Sequence, residues 1–295
     1  MKYLIYLIVY PILWCVSMLP FWLLYILSDF VFFIVYYIIA YRKKTVRANI
    51  ALALPHLSKK EKKNIEKKSY QHLCDMFLEM IKTITISEEE INKRYKYSNL
   101  DVYKNLETKN KSIAIMIAHY ASYEWVISLN KQITFKGYAI YKKLNNPYFD
   151  KLVIDIRSKF KANLITTKET IPTIEANFKA NIRGIYGFAS DQSPRLSVTH
   201  YWRNFMKIET NVHTGAEMLA KKYDLNVIFL QTRKIKRGYY EGTFVVLSDD
   251  AMNVPDYQIT DKFLDLVENQ IYEAPEFYLW THNRWKHKKE DQKIN

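Results

Sequence analysis

Apolar residues run almost unbroken through the first forty positions. From Tyr3 to Tyr41 Asp29 is the one charged residue. So long an apolar run exceeds an ordinary core helix and is expected to meet lipid. Tyr3 to Leu27 is long enough to cross a bilayer core of roughly 30 Å, with Pro11 as the expected kink. Phe30 to Tyr41 falls short of the roughly 20 residues of a second span, which predicts an interfacial or docked segment. A cleaved signal peptide fits poorly, because the run exceeds the usual roughly 7 to 15 residues and no small-residue cleavage site follows it. Arg42, Lys43, Lys44 and Arg47 follow the run while Lys2 alone precedes it. The positive-inside bias then places residues 42–295 in the cytosol, behind a membrane-anchoring segment at 1–41, with the basic cluster facing anionic headgroups.

Beyond the anchor, helix-like apolar spacing from Arg42 to Leu57 closes at Pro55, and Ser58 is placed to cap a Lys-rich helix from Lys59 to Ile84. After Ser87 the pattern changes to short apolar runs alternating with helical stretches, the signature of an α/β domain. Strands are expected at Ile113 to Ala118, Tyr138 to Tyr141, Asn163 to Thr166, Gly184 to Ala189, Asn226 to Thr232 and Tyr239 to Leu247. Helices are expected at Ser122 to Lys131, Pro147 to Phe160, Ile171 to Ala180, Thr214 to Tyr223 and Gln258 to Tyr272. No Gly, Pro or Ser linker divides this part, and the short basic tail from Lys286 is its one low-complexity segment.

Composition narrows the chemistry. Six Gly and eight Pro argue against disorder, and neither a dinucleotide fingerprint nor a phosphate-binding loop is present, so no nucleotide cofactor is expected. The net charge of +14 suits a membrane surface or an acidic protein partner. Nucleic acid fits less well, since no zinc finger, RNA-recognition signature or basic zipper occurs. Cys15 and Cys74 lie far apart without metal-ligand spacing, no His-Glu-x-x-His occurs, and no metal site is expected.

The stretch Ser112 to Trp125 carries the candidate chemistry. Its apolar run reads as a strand buried on both faces, and His119 and Glu124 follow where such strands deliver functional groups. With a helix opening near Ala121 or Ser122, Glu124 is expected to turn back and hold one imidazole nitrogen, leaving the other for a substrate. A half-buried histidine beside a solvated glutamate is the plainer alternative.

Several ordered motifs resemble those of the late acyltransferases of lipid A biosynthesis, a lysophospholipid-acyltransferase-like family. Arg42 to Pro55 is similar to the family's Arg-rich entry, His119 to Glu124 to its His-x4-acid motif, and Tyr141 to Pro147 with Arg157 to its Tyr-Arg-Pro and Asn-Pro stretch. Asp191-Gln192 follows a strand as the family's Asp-Gln does, and Tyr278 to Trp285 resembles its terminal His-Arg-Arg-Trp. Two departures stand out. Tyr201 to Met206 lacks the family's glycine turn, and Asn283 replaces an arginine.

The resemblance implies a mixed, mostly parallel central sheet flanked by helices, with an N-terminal transmembrane helix. It implies an enzyme of the bacterial inner membrane, facing the cytoplasm, that moves a fatty acyl group from acyl carrier protein or coenzyme A to a hydroxyl of a lipid A precursor. His119, with its ordinary pKa of about 6.5, is then the general base and Glu124 its orienter. Lys142, Asn146, Arg157, Asp191 and Gln192 are the expected substrate-binding residues. The oxyanion donor stays open between backbone amides after His119 and the side chains of Lys142 or Arg157. Ser122 lacks a nucleophile elbow, so no acyl-enzyme is expected. His56, His213 and His282 read as structural. Another acceptor lipid, or a membrane-docked protein without activity, are the competing readings.

Overall fold

A computed structural model describes residues 2–287. Lys2–Met18 forms α1, which continues through Pro11, and Phe21–Phe33 forms α2, prolonged by a wider helical turn at Ile34–Ile38. The break between the apolar helices therefore falls at Leu19-Pro20, and not at Ser28-Asp29 as the division by span length suggested. Pro20 explains this, since it disfavours helical geometry in the residue before it while fitting the start of a new helix. Phe21–Ile38 is long and apolar enough to cross a membrane by length and composition, whereas Tyr3–Leu27 is not one helix.

Leu24, Ser28, Phe32 and Tyr36 are the buried positions of this second helix. Their spacing of four draws a single stripe along one face, and the stripe rests on α4 (Lys59–Lys82). Three hydrogen bonds pin it there: Ser28 Oγ to Asp75 Oδ1 at 2.8 Å, Tyr36 Oη to Glu66 Oε1 at 3.0 Å and Tyr25 Oη to Glu79 Oε1 at 2.9 Å. Trp22, Ile26, Phe30, Phe33 and Ile38 are exposed. Between these helices and the sheet lie α3 (Lys43–Ala53) and α4, whose first turn is closed by a capping box between Ser58 and Glu61.

The α/β part adds α5 (Glu88–Arg94), β1 (Tyr95–Tyr97), α6 (Leu100–Thr108), β2 (Ile113–Ile117), β3 (Lys136–Tyr141), α7 (Pro147–Ser158), β4 (Asn163–Thr166), α8 (Thr170–Lys179) and β5 (Gly184–Ala189). The hairpin of β6 (Trp202–Phe205) and β7 (Ile208–Asn211) follows, then α9 (Gly215–Tyr223), β8 (Asn226–Lys236), β9 (Tyr239–Ser248) and α10 (Gln258–Glu273). Among the described residues one seven-stranded sheet has the order β1-β9-β8-β2-β5-β3-β4. All neighbours are parallel except β8 and β9. The expected mixed, mostly parallel sheet is present, and each expected strand falls on an observed one.

Three elements differ from expectation. No α-helix opens after His119; Trp125–Lys131 is a short 3-10 segment. Elements α5, β1 and α6 were missed, although Leu100, Tyr103 and Leu106 give α6 an apolar face at helical spacing. The β6–β7 hairpin hides in the stretch that departs from the family pattern. Its turn places Met206 at φ 54° and Lys207 at φ 63°, both left-handed, where glycine or asparagine is the usual choice. Met206 accepts that conformation under full burial. Most of the basic tail lies outside the described residues.

The strained turn gives a direct test of stability. Lys207→Gly removes a side chain from a left-handed position and is expected to stabilise the protein by about 1 kcal/mol. The thermal unfolding midpoint in detergent should rise by about 2 °C; an unchanged or lower midpoint would show that the hairpin is not strained.

Candidate active site

Period-two geometry lines up the site. Ile115, Ile117 and His119 lie on one face of β2 and its extension, so the histidine continues an apolar row. The neighbouring strand β5 pairs Ile115 with Gly187 and Ile117 with Ala189. One more step in that register opposes His119 with Asp191, each two residues beyond its strand. Asp191 Oδ1 accepts hydrogen bonds from the His119 backbone N–H at 3.0 Å and from Nδ1 at 2.7 Å. Both bonds fix the ring, leaving Nε2 as the nitrogen not bound to the carboxylate.

This arrangement corrects the expected orienter. Asp191, not Glu124, holds the imidazole. Glu124 instead accepts two bonds from Arg157 at the end of α7, from Nε at 3.0 Å and Nη2 at 2.7 Å. The reason is local. The chain bends through a left-handed Ala121, with φ 49°, and no helix follows to bring residue 124 back over residue 119. A planar guanidinium across the cleft then offers Glu124 a better, bidentate partner.

His119 is partly open, with 25% of its side chain exposed, whereas Asp191 is fully buried. Burial acts against the imidazolium, but the Asp191 carboxylate and, behind it, Glu124 outweigh that effect, so the His119 pKa lies above its ordinary value. Burial likewise opposes the Asp191 carboxylate, and the contacts with His119 overcome it, holding the pKa below the usual range. Protonation of His119 is thus favoured by the fold.

The carboxylate is supported from behind. Gln192, itself buried, donates Nε2 to Asp191 Oδ2 at 2.9 Å. The guanidinium of Arg284 is buried too, donating Nε to the Asp191 carbonyl at 2.7 Å and Nη1 to the Asn211 carbonyl at 3.1 Å. Trp280 and Trp285 close over this region with ring centroids 6.2 Å apart. The terminal motif therefore acts as packing and hydrogen bonding behind Asp191. On the other side, Leu279 N–H donates to the His119 carbonyl and Ala121 N–H to the Phe277 carbonyl, both at 3.0 Å.

In front of His119 lies a groove of about 390 Å³ along β2, β5 and β3. Ile115, Ile117, Ile185 and Ile140 line it, and Gly187, Ala189, Gly137 and Ala139 leave it open by having little or no side chain. Tyr123, Glu124, Lys142 and Arg157 stand at its polar parts. From Ala189 back to Ile185 the strand covers about 13 Å.

The expected binding residues separate into three groups. Lys142 and Arg157 border the groove, and Lys142 is exposed. Asp191 and Gln192 belong to the histidine's support. Asn146 caps α7, its Oδ1 accepting from Tyr148 N–H at 3.1 Å, and is not among the groove-lining residues. His213 and His282 both have pKa values pushed down, first by burial; that of His282 falls to about 4. Among the described residues no His, Cys, Asp and Glu cluster suited to a metal is found.

The family model described as bacterial lipid A biosynthesis acyltransferase matches residues 1–287. The lipid A biosynthesis lauroyltransferase of Escherichia coli (strain K12) is 21% identical over 276 residues, covering 93% of this chain and 89% of that protein. The lipid A biosynthesis palmitoleoyltransferase of the same organism is 21% identical over 259 residues, covering 83% and 79%. A match that spans residues 1–287 places this chain in the bacterial lipid A biosynthesis acyltransferase family.

Proposed function

We propose that this acyltransferase moves a fatty acyl group from a thioester, on acyl carrier protein or coenzyme A, to a hydroxyl of a lipid A precursor, with His119 as general base and Asp191 as its orienter. The observation that carries the reading is the His119–Asp191 pair at the mouth of an apolar groove. The acyl chain lies along β2 and β5, its carbonyl at His119. The acceptor hydroxyl gives its proton to Nε2 while its oxygen bonds to the thioester carbon. The tetrahedral adduct collapses with cleavage of the C–S bond, and the thiolate takes the proton back from Nε2. No acyl-enzyme forms. Arg157, held by Glu124 at the groove, supplies positive charge toward the developing oxyanion or the acceptor's phosphate, with Lys142 at the rim. The exposed apolar face of α2 and the basic run from Arg42 to Arg47 support seating in the inner membrane with the sheet on the cytoplasmic side.

Mass spectrometry of lipids from a deletion strain, with the wild-type or the His119→Ala copy restored, tests the reading directly. One acyl chain should be missing from lipid A and return with the wild-type copy alone; restoration by His119→Ala would rule out the base. Asp191→Asn should lower kcat about 10²- to 10⁴-fold. Because the raised His119 pKa rests largely on that carboxylate, the acid limb of kcat/KM should move to lower pH in Asp191→Asn, and by less in Glu124→Gln. Gly187→Val fills the middle of the groove, where an added Cβ meets its nearest atom at an ordinary 3.6 Å. It should shift donor preference toward shorter chains by about 10-fold, since one or two methylenes of lost fit are worth roughly 1–3 kcal/mol; an unchanged preference would place the chain elsewhere.

A further inference from the structure

The turn that carries His119 is held from a direction the sequence motifs do not mark. His72 sits on α4, 47 residues before the catalytic histidine, and is buried. Its Nε2 lies 3.3 Å from the carbonyl oxygen of Ala121, the left-handed residue of the turn. Its Nδ1 lies 3.2 Å from the ammonium of Lys234 on β8. An ammonium has donors only and a carbonyl is an acceptor only, so both ends fix one tautomer: Nδ1 accepts from Lys234 and Nε2–H donates to Ala121. Burial, then the Lys234 charge, push the His72 pKa well below its ordinary value, which keeps that neutral form in place.

Lys234 is itself held. Its side chain is 9% exposed and its ammonium is 3.4 Å from Asp75 Oδ2. Asp75 also accepts from Arg237, at 2.6 Å from Nη2, and from Ser28 of α2. Phe277 packs edge-on to the His72 ring at a centroid distance of 5.0 Å, and its carbonyl accepts from Ala121 N–H. Both backbone polar atoms of Ala121 are thereby tied, one to Phe277 just ahead of the terminal motif and one to α4. A non-glycine residue in the left-handed region stays there only when its surroundings over-determine it.

The geometry points to His72 as a positioning residue for the acyl transfer, with Lys234 selecting its tautomer: together they hold the Ala121 turn and so aim His119 Nε2 at the groove mouth. This rests on the assignment of His119 as base. The test compares kcat and KM of full-length enzyme in detergent or vesicles, normalised to folded protein by thermal unfolding. His72→Leu keeps the packing against Phe277 and removes the bond; kcat should fall about 10- to 100-fold with KM unchanged, the loss expected of a displaced reacting group. His72→Gln retains a donor for the Ala121 carbonyl and should recover most of that rate. Lys234→Met frees the tautomer but leaves the ring in place, so it should lose no more than His72→Leu, and the double variant should lose no more than His72→Leu alone, because Lys234 acts through His72. Full kcat in His72→Leu, or losses that multiply in the double variant, would overturn the role. His119→Ala assayed alongside separates the two layers: if it is inert while His72→Leu is fully active, the positioning role fails alone. If His119→Ala is active, the base assignment fails first.

Discussion

The parallel pairing of β2 with β5 is the constraint on which the site depends. It delivers two chain ends side by side, in register, so that a histidine and an aspartate two residues past their strands meet without any helix to bring them together. Because the carboxylate binds both the ring and the backbone of His119, rotation of the side chain and drift of the strand end are restrained by one group. The cost of burying that carboxylate is offset only while its hydrogen bonds are complete. Gln192 supplies one of these bonds, while Arg284 holds the backbone carbonyl of the same residue.

The same alternation divides labour along β5. Ile185, Gly187 and Ala189 face the groove, and Asp191 continues their row into the chemistry. The groove wall and the carboxylate that binds His119 thus lie on one strand at successive steps of two. The groove exists because glycine and alanine occupy positions that would otherwise carry the branched side chains typical of a parallel sheet.

Much of this was legible in sequence, for identifiable reasons. Buried strands of a parallel sheet leave short apolar runs, so β2, β4 and β5 were placed within a residue of their ends, and the position of His119 beyond β2 followed. Its partner was misassigned because spacing along the chain favours Glu124 over Asp191, while pairing across strands favours the reverse. The observed strand ends give the signal, since His119 and Asp191 each lie two positions beyond β2 and β5, but the expected end of β2 at Ala118 concealed it. His72 and Lys234 left no such trace, since a histidine within a Lys-rich helix and a lysine near a hairpin look like solvated surface until the turn at Ala121 is seen. The N-terminal break was misplaced because the apolar run was divided by span length, with Pro11 as the expected kink, and the backbone restriction at Pro20 went unread. In the fold Asp29 is paired with Arg237 at 2.7 Å and leaves the helix continuous.

That pairing has a consequence for how the chain assembles. The polar groups along α2 find their partners at Asp75 and Glu79 within α4 and at Arg237, which is 208 residues further on. During synthesis the helix therefore emerges long before β8 and β9 exist, with Asp29 waiting for a cation that is made near the end. Domains tend to consolidate as their parts leave the ribosome, and α2 can pack on α4 as soon as that helix is made. Its outer charge alone must wait for Arg237, beyond the end of β8.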